Sequence, residues 1–266
     1  MFINDFVCDE TEIIQLDKFK EFAQTNPNIT FYKTDMFISW LSSSLVINHE
    51  TINNIKPGNV IIIGNSDISI TDYVCKLINK NAKMIFCSNC HRGNETAFSL
   101  PIGISNKTNY VHGETDIFPV LLKTPKMKYN WVYMNMAIYT YPVERQKVFD
   151  MFKGFSWVTN EKPQLNSQHR NNFLSQIYNH PFVLCPRGNG TDTHRIWETL
   201  YLKSIPIVKM EIGYQDFTDL PILFVNDWSE VTLDYLIQQY DIIHSKEWNM
   251  EKLTMTWWKN EILKYV

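Results

Sequence analysis

The chain has 266 residues, of which 44% are hydrophobic and 20% charged, enough for one large or two small packed cores and too apolar for a largely disordered chain. Its net charge of -3 at pH 7 supplies no overall basic field for nucleic acid or an anionic membrane. The five cysteines are odd in number and scattered, which excludes a disulfide framework and fits a reducing compartment. No stretch approaches the roughly 18 consecutive apolar residues of a membrane span, and the first residues carry acids where a signal peptide needs positive charge. The expectation is a cytoplasmic protein with no membrane span and no nucleic-acid partner.

Along the chain, Asn59 to Ile63 is a short β-branched run closed by Gly64-Asn65-Ser66-Asp67, the pattern of a buried strand ending in a loop. Thr71 to Asn79 has helical spacing through Tyr73, Val74, Leu77 and Ile78, and Lys83 to Cys87 is a second strand. This βαβ rhythm with continuous apolar strands predicts a parallel sheet covered on both faces. Lys123 to Asn130 breaks the pattern and is the candidate linker. Trp131 to Met134 then reads as a strand, and a helix begins near Pro142 and contains Arg145. Phe182 to Cys185 is a strand, followed by a glycine loop, a helix from about Thr193 to Lys203 and a strand from Ile205 to Met210. From Leu233 onward the chain reads as helical, with Trp248, Leu253, Trp257, Trp258 and Ile262 available for docking. The expected fold class is α/β, with two units facing each other across a cleft and ligands beyond the carboxyl ends of the strands.

The segment from Phe182 to Met210 carries the most chemistry. Glycines at 188 and 190 allow close approach of a ligand and positive φ, and Asp192 or Thr193 is placed to cap the following helix. The free N–H groups and dipole of that helix favour an anion. Arg187 before the loop and Arg195 in the first turn add permanent positive charge, so the loop suits a diphosphate. At 100° per residue, Ile196, Trp197, Leu200 and Tyr201 form the core-facing stripe, whereas His194, Arg195 and Glu198 share the other face. Arginine suits phosphate through its forked donors and a carboxylate suits a sugar diol, which assigns Arg195 to phosphate and Glu198 to ribose. The competing interpretation is a capped core helix with an Arg195–Glu198 surface pair.

The motif Pro186-Arg187-Gly188-Asn189-Gly190, with Asp192-Thr193-His194-Arg195, Trp197-Glu198 and Ile205-Pro206-Ile207-Val208, resembles the exostosin-like glycosyltransferases, including their small versions in bacteria and large DNA viruses. Weaker likeness extends to Tyr133-Met134-Asn135 with Arg145, to Leu100-Pro101-Ile102-Gly103 and to Asn65-Ser66-Asp67. The resemblance implies a GT-B fold of two Rossmann-like domains with parallel sheets facing a central cleft. Residues 1–125 would form the acceptor domain, 126–245 the nucleotide-sugar domain, and 246–266 a helix packing back across both. It also implies a nucleotide-diphosphate sugar donor, with UDP-sugars favoured and UDP-xylose among them, and a glycan acceptor. The expected donor-binding set is Arg145, Arg187, Asn189, Gly190, Thr191, Asp192, His194, Arg195 and Glu198.

Asp67 lies just past the first strand, where a base for an inverting displacement belongs, with His91, Glu95 and Asp72 as alternatives; Asn-Ser-Asp is equally a good turn. No Asp-x-Asp occurs in the chain, so no metal or other cofactor is expected to take part in transfer. Cys87-Ser88-Asn89-Cys90-His91 spells the C-x-x-C-H of haem attachment, but that chemistry follows export, and no second Cys or His pair stands at zinc-ligand spacing. Two rival functions remain. One is an NAD-dependent oxidoreductase, with Glu211 as the ribose-binding acid and Thr193 standing where the third fingerprint glycine belongs. The other is a noncatalytic nucleotide- or sugar-binding module.

Overall fold

A computed structural model describes residues 1–41, 44–91, 96–109, 112–127, 130–164 and 167–266. Two parallel sheets organise the chain. The first takes the strands in the order Ile29–Lys33, Val60–Gly64, Met84–Cys87 and Ala97–Ser99. The second runs Val158–Glu161, Val132–Asn135, Phe182–Leu184, Ile205–Lys209 and Leu223–Val225. The expectation of an α/β protein with parallel sheets is met. Its physical root is visible at Val60, Ile61, Ile62 and Ile63, all 0% exposed: a strand covered on both faces has no polar side, and each such side chain contributes about 1.5–3 kcal/mol by leaving water.

The strands not named from the sequence include two edge strands of mixed composition and the short apolar strand Leu223–Val225. Val158–Glu161 is an edge strand of sequence VTNE, and Ile29–Lys33 is the edge of the first sheet. The segment read as a linker is partly fastened, because the Tyr178 hydroxyl donates to the Thr124 carbonyl and the Met127 N–H to Asn179 Oδ1. The tail forms two helices, Leu233–Ser245 and Met255–Leu263. Trp258 and Ile262 of the second are buried, and Tyr265 just beyond it sits 5.9 Å from the rings of both Phe86 and Phe98 on the first sheet. One apolar cluster joins Ile62 and Phe86 of the first sheet to Val183 and Val208 of the second, through Trp197, Tyr201 and Trp258. The Tyr201 hydroxyl ties this junction, accepting from the Ile14 N–H and donating to the Leu253 carbonyl, each at 2.8 Å. Among the described residues, no helix is long and apolar enough to cross a membrane.

Candidate functional site

A cavity of about 720 Å³ opens beyond the carboxyl ends of strands from both sheets. Asn135 and Glu161, the last residues of Val132–Asn135 and Val158–Glu161, line it, as does the loop that follows Phe182–Leu184. From the first sheet come Asp67, just past Val60–Gly64, and Ile102 and Ser105, just past Ala97–Ser99. A second cavity of about 810 Å³ adjoins it and shares Asp67, Ile102, Ser105, Asn109 and His194.

The helix His194–Tyr201 begins at the cavity wall. Its apolar stripe is as expected, with Ile196, Trp197, Leu200 and Tyr201 all buried. The cap is not. Thr193 occupies the N-cap position but its side chain makes no capping bond, and among the described residues its buried Oγ1 has no partner. Asp192 instead accepts from the Ile102 N–H at 2.9 Å and from the Trp197 indole N–H at 2.9 and 3.0 Å. The first-turn N–H groups therefore lack a side-chain cap, the arrangement that leaves a helix N-terminus open to an anion.

Burial raises the Asp192 carboxyl from an ordinary value of 3.8 to about 7, against the opposing bonds from Ile102, Trp197 and Thr193. The folded state therefore binds this proton more tightly than the unfolded chain. The stability Asp192 contributes is fully present below about pH 4 and is lost as pH rises through 7. In urea titrations, the unfolding free energy of wild type minus that of Asp192→Asn should fall from pH 5 to pH 8; a difference that rises would contradict this protonation.

Arg195 lines the cavity with its guanidinium 5.6 Å from the Phe173 ring, and among the described residues its buried Nε has no hydrogen-bond partner. Arg145 also lines the cavity, but it is largely committed to the loop. Its Nε donates to the Arg187 carbonyl at 2.7 Å, one terminal nitrogen to Ala137 at 2.9 Å and the other to Pro186 at 3.4 Å. Burial, and secondarily the charge of Arg195, lower its pKa to about 10, so it remains charged at neutral pH. Of its five N–H donors, three are used on those carbonyls.

Several expected donor contacts stand elsewhere. Arg187 and Arg195 do not close around one point: the Arg187 guanidinium lies 4.5 Å from the Tyr141 ring and pairs with Glu211 at 3.4 Å, off the cavity wall. Phe182–Leu184 and Ile205–Lys209 are parallel neighbours, so the residues just past their ends come side by side and the opposite charges meet. Thr191 is buried away from the cavity, with its hydroxyl 2.9 Å from His91 Nε2. The loop glycines have no positive φ, and the space they leave is filled by protein. A Cβ on Gly188 would meet an Arg145 nitrogen at 3.1 Å, and one on Gly190 would meet Asn89 Nδ2 at 2.9 Å. Asn89 braces this loop, accepting from the Asp192 N–H at 2.8 Å and donating to Ser66 at 3.1 Å. Asn189 and Gly190 do line the cavity.

Glu198 is buried, and its partner is Arg170, not Arg195: the pair is 2.5 Å apart with the two side chains 4% and 6% exposed. The surface-pair alternative is thereby corrected, since the helix Ser167–Asn179 covers this face. Both members line the cavity, and Arg170 Nε is a further buried polar atom without a partner. Arg170, Glu161, Phe173 and Asn89 are site residues that loop-and-motif reading missed. A signal for Arg170 existed: it stands four and seven residues before Leu174 and Ile177, on the face that both bury, where a charge requires a partner.

Among candidate bases, Asp67 is exposed and lines both cavities. Asp72 pairs with Lys76 at 2.5 Å and His91 bonds Thr191; neither lines a cavity wall, and Glu95 lies outside the described residues. His194, expected as a donor contact, also lines both cavities, and its Nδ1 donates to the Gly103 carbonyl at 2.7 Å. Gly103 has φ +63°, and a Cβ there would lie 2.1 Å from the Ile14 carbonyl oxygen, so this anchor requires glycine. With Nδ1 carrying the proton, neutral His194 keeps Nε2 as an acceptor.

No protein-family model matches the chain, and no curated protein sequence matches it.

Proposed function

We propose that the protein is a metal-independent, inverting glycosyltransferase of GT-B-like architecture, moving a sugar from a nucleotide-diphosphate donor, with UDP favoured, to a glycan hydroxyl. The observation that carries this reading is Arg195. Among the described residues its buried Nε lacks a partner, and it stands in the first turn of a helix without a side-chain cap, in a cavity at the carboxyl ends of both sheets. An anion in that cavity would satisfy Arg195 and the open helix N–H groups together.

In the proposed reaction, negative charge develops on the departing diphosphate as the bond to the sugar breaks. Arg195, the helix N-terminus and the remaining donors of Arg145 are preorganised to stabilise it. Glu198, held by Arg170, offers carboxylate oxygens to a ribose diol. The adjoining cavity, with Asn65, Asn106 and Asn109 in its wall, presents amides suited to the hydroxyls of an acceptor. Asp67 at the shared edge takes the acceptor proton. The oxidoreductase alternative loses support at Glu211, which is paired with Arg187 and lines no part of either cavity.

The test is transfer or donor hydrolysis with a panel of nucleotide-sugars, with and without EDTA. Turnover unaffected by EDTA is expected, and strict Mn²⁺ dependence would refute the metal-independent reaction. Asp67→Asn should lower kcat at least ~100-fold, the scale of general-base catalysis, with donor affinity within twofold of wild type. Turnover above a tenth of wild type would move the base elsewhere, and His194→Gln is then the variant to measure.

A further inference from the structure

We propose that Cys75, Cys87 and Cys90 form a binding site for one thiophilic metal ion, monovalent copper, held by three sulfurs. The site is separate from the cavities and independent of the transfer reaction. The three sulfur atoms all lie within 4.8 Å of one another, and the three residues are 0–1% exposed. They converge from different elements: Cys75 from the helix Asp72–Ile78, Cys87 from the end of the strand Met84–Cys87, and Cys90 from the two-residue strand Cys90–His91. Only the Cys87–Cys90 spacing is visible in the sequence. The third sulfur arrives from a helix twelve residues upstream, which is why a search for paired ligand spacings finds no site.

The backbone holds these positions before any ion arrives. Cys87 is in register with Ile63 and Ser99, and Cys90 with Ile70. Between them Asn89 takes φ +51°, turning the chain so that Cys90 comes back toward Cys87. With metal–sulfur bonds of about 2.3 Å, the corners of a trigonal site are about 4.0 Å apart. A triangle with edges of at most 4.8 Å needs to contract by less than about 1 Å to reach it.

The surroundings select the ion. Ile61, Ile63, Ile70, Val74 and Ile85 pack in the same cluster, an apolar setting unlike the oxygen-rich shell a hard cation takes. Soft sulfur ligands favour Cu(I) and Zn(II). Structural zinc takes four ligands, and among the described residues the group contains three. Three sulfurs complete a trigonal Cu(I) site. The metal ligand is the thiolate, so each sulfur that arrives as a thiol releases its proton to solvent as its bond to Cu(I) forms, with no change in oxidation state.

The ion would also stiffen the turn that carries Asn89, whose side chain braces Asp192 in the glycine loop.

The experiment loads the full chain anaerobically with Cu(I) supplied as its acetonitrile complex, both on the folded protein and during refolding, and counts bound metal by native mass spectrometry. One copper per chain is expected, with a melting temperature raised by several degrees. Cys75→Ser, Cys87→Ser and Cys90→Ser should each lose it, whereas Cys8→Ser and Cys185→Ser should keep it. X-ray absorption on the wild-type complex, which needs no variant to fold, should show three sulfur neighbours and no nitrogen or oxygen. No copper bound by either route, retention by all five variants, or a four-coordinate zinc ion taken in preference would overturn the proposal. None of these readouts depends on glycosyl transfer.

Discussion

Arg195→Ala is expected to weaken binding of a nucleoside diphosphate by roughly 100-fold or more while leaving the melting temperature within about 2 °C of wild type, or above it. The affinity follows from charge-assisted hydrogen bonds to phosphate, about 1.5–3 kcal/mol each, with 1.4 kcal/mol per tenfold. The stability follows from what Arg195 does in the unliganded chain. Among the described residues its buried Nε has no partner, its guanidinium lies 5.6 Å from the Phe173 ring, and its positive charge adds to the burial that lowers the pKa of Arg145. Removing it relieves an unmet donor and a like-charge contact, losing some packing. Groups retained for ligand binding at the expense of the fold behave in this way. Arg195→Lys should recover only part of the affinity, because an ammonium keeps the charge and loses the planar fork. Calorimetric titration with UDP, beside a thermal melt of the same sample, checks both halves. An Arg195→Ala protein that unfolds, or that binds UDP as wild type does, would contradict the assignment.

Glu198→Gln should have the opposite balance. Its partner Arg170 is 4% exposed on the side chain, so neutralising Glu198 leaves a buried guanidinium without a counter-charge. Arg145 and Arg195 line the same cavity and add positive charge, and Glu161 on that wall already accepts from Tyr133, Asn172 and Gln176. Breaking such a pair from one side is worth about 3–5 kcal/mol, roughly a 10 °C loss in melting temperature for a chain of this size. Joint replacement by apolar residues, Arg170→Met with Glu198→Leu, should recover much of the stability, since two desolvation penalties disappear with the pair. If Glu198→Gln melts as wild type does, the buried pair is not what fastens this helix to Ser167–Asn179.

The difference between those two arginines shows what the sequence made legible. The strand–loop–helix–strand from Phe182 to Lys209 is written in local signals: two apolar runs, a polar break, and a stripe at helical spacing that all four expected residues bury. Arg195 falls on the cavity face by that geometry alone. Partner choice is not local. Arg187 meets Glu211 because two strands are parallel neighbours, and Glu198 meets Arg170 because a helix of mixed polarity lies across it. The loop glycines were legible as necessary, but not for what fills their space. Asn89 and Arg145 reach them from 101 and 43 residues away in the chain (190 minus 89, 188 minus 145), distances over which no motif extends. The polar edge strand Val158–Glu161 lacks the apolar run that marks its neighbours, and Glu161 was hidden with it.

That the cavity beside Arg195 is a nucleotide-diphosphate site is tested most directly by calorimetry of the intact protein with UDP, GDP, their sugars, NADH and pyrophosphate. One nucleoside diphosphate should bind at a single site and compete with pyrophosphate, and Arg195→Ala should weaken both roughly 100-fold or more while NADH gives no signal. Saturable NADH binding with no heat from any nucleotide diphosphate, or UDP binding that survives Arg195→Ala at full strength, would contradict it.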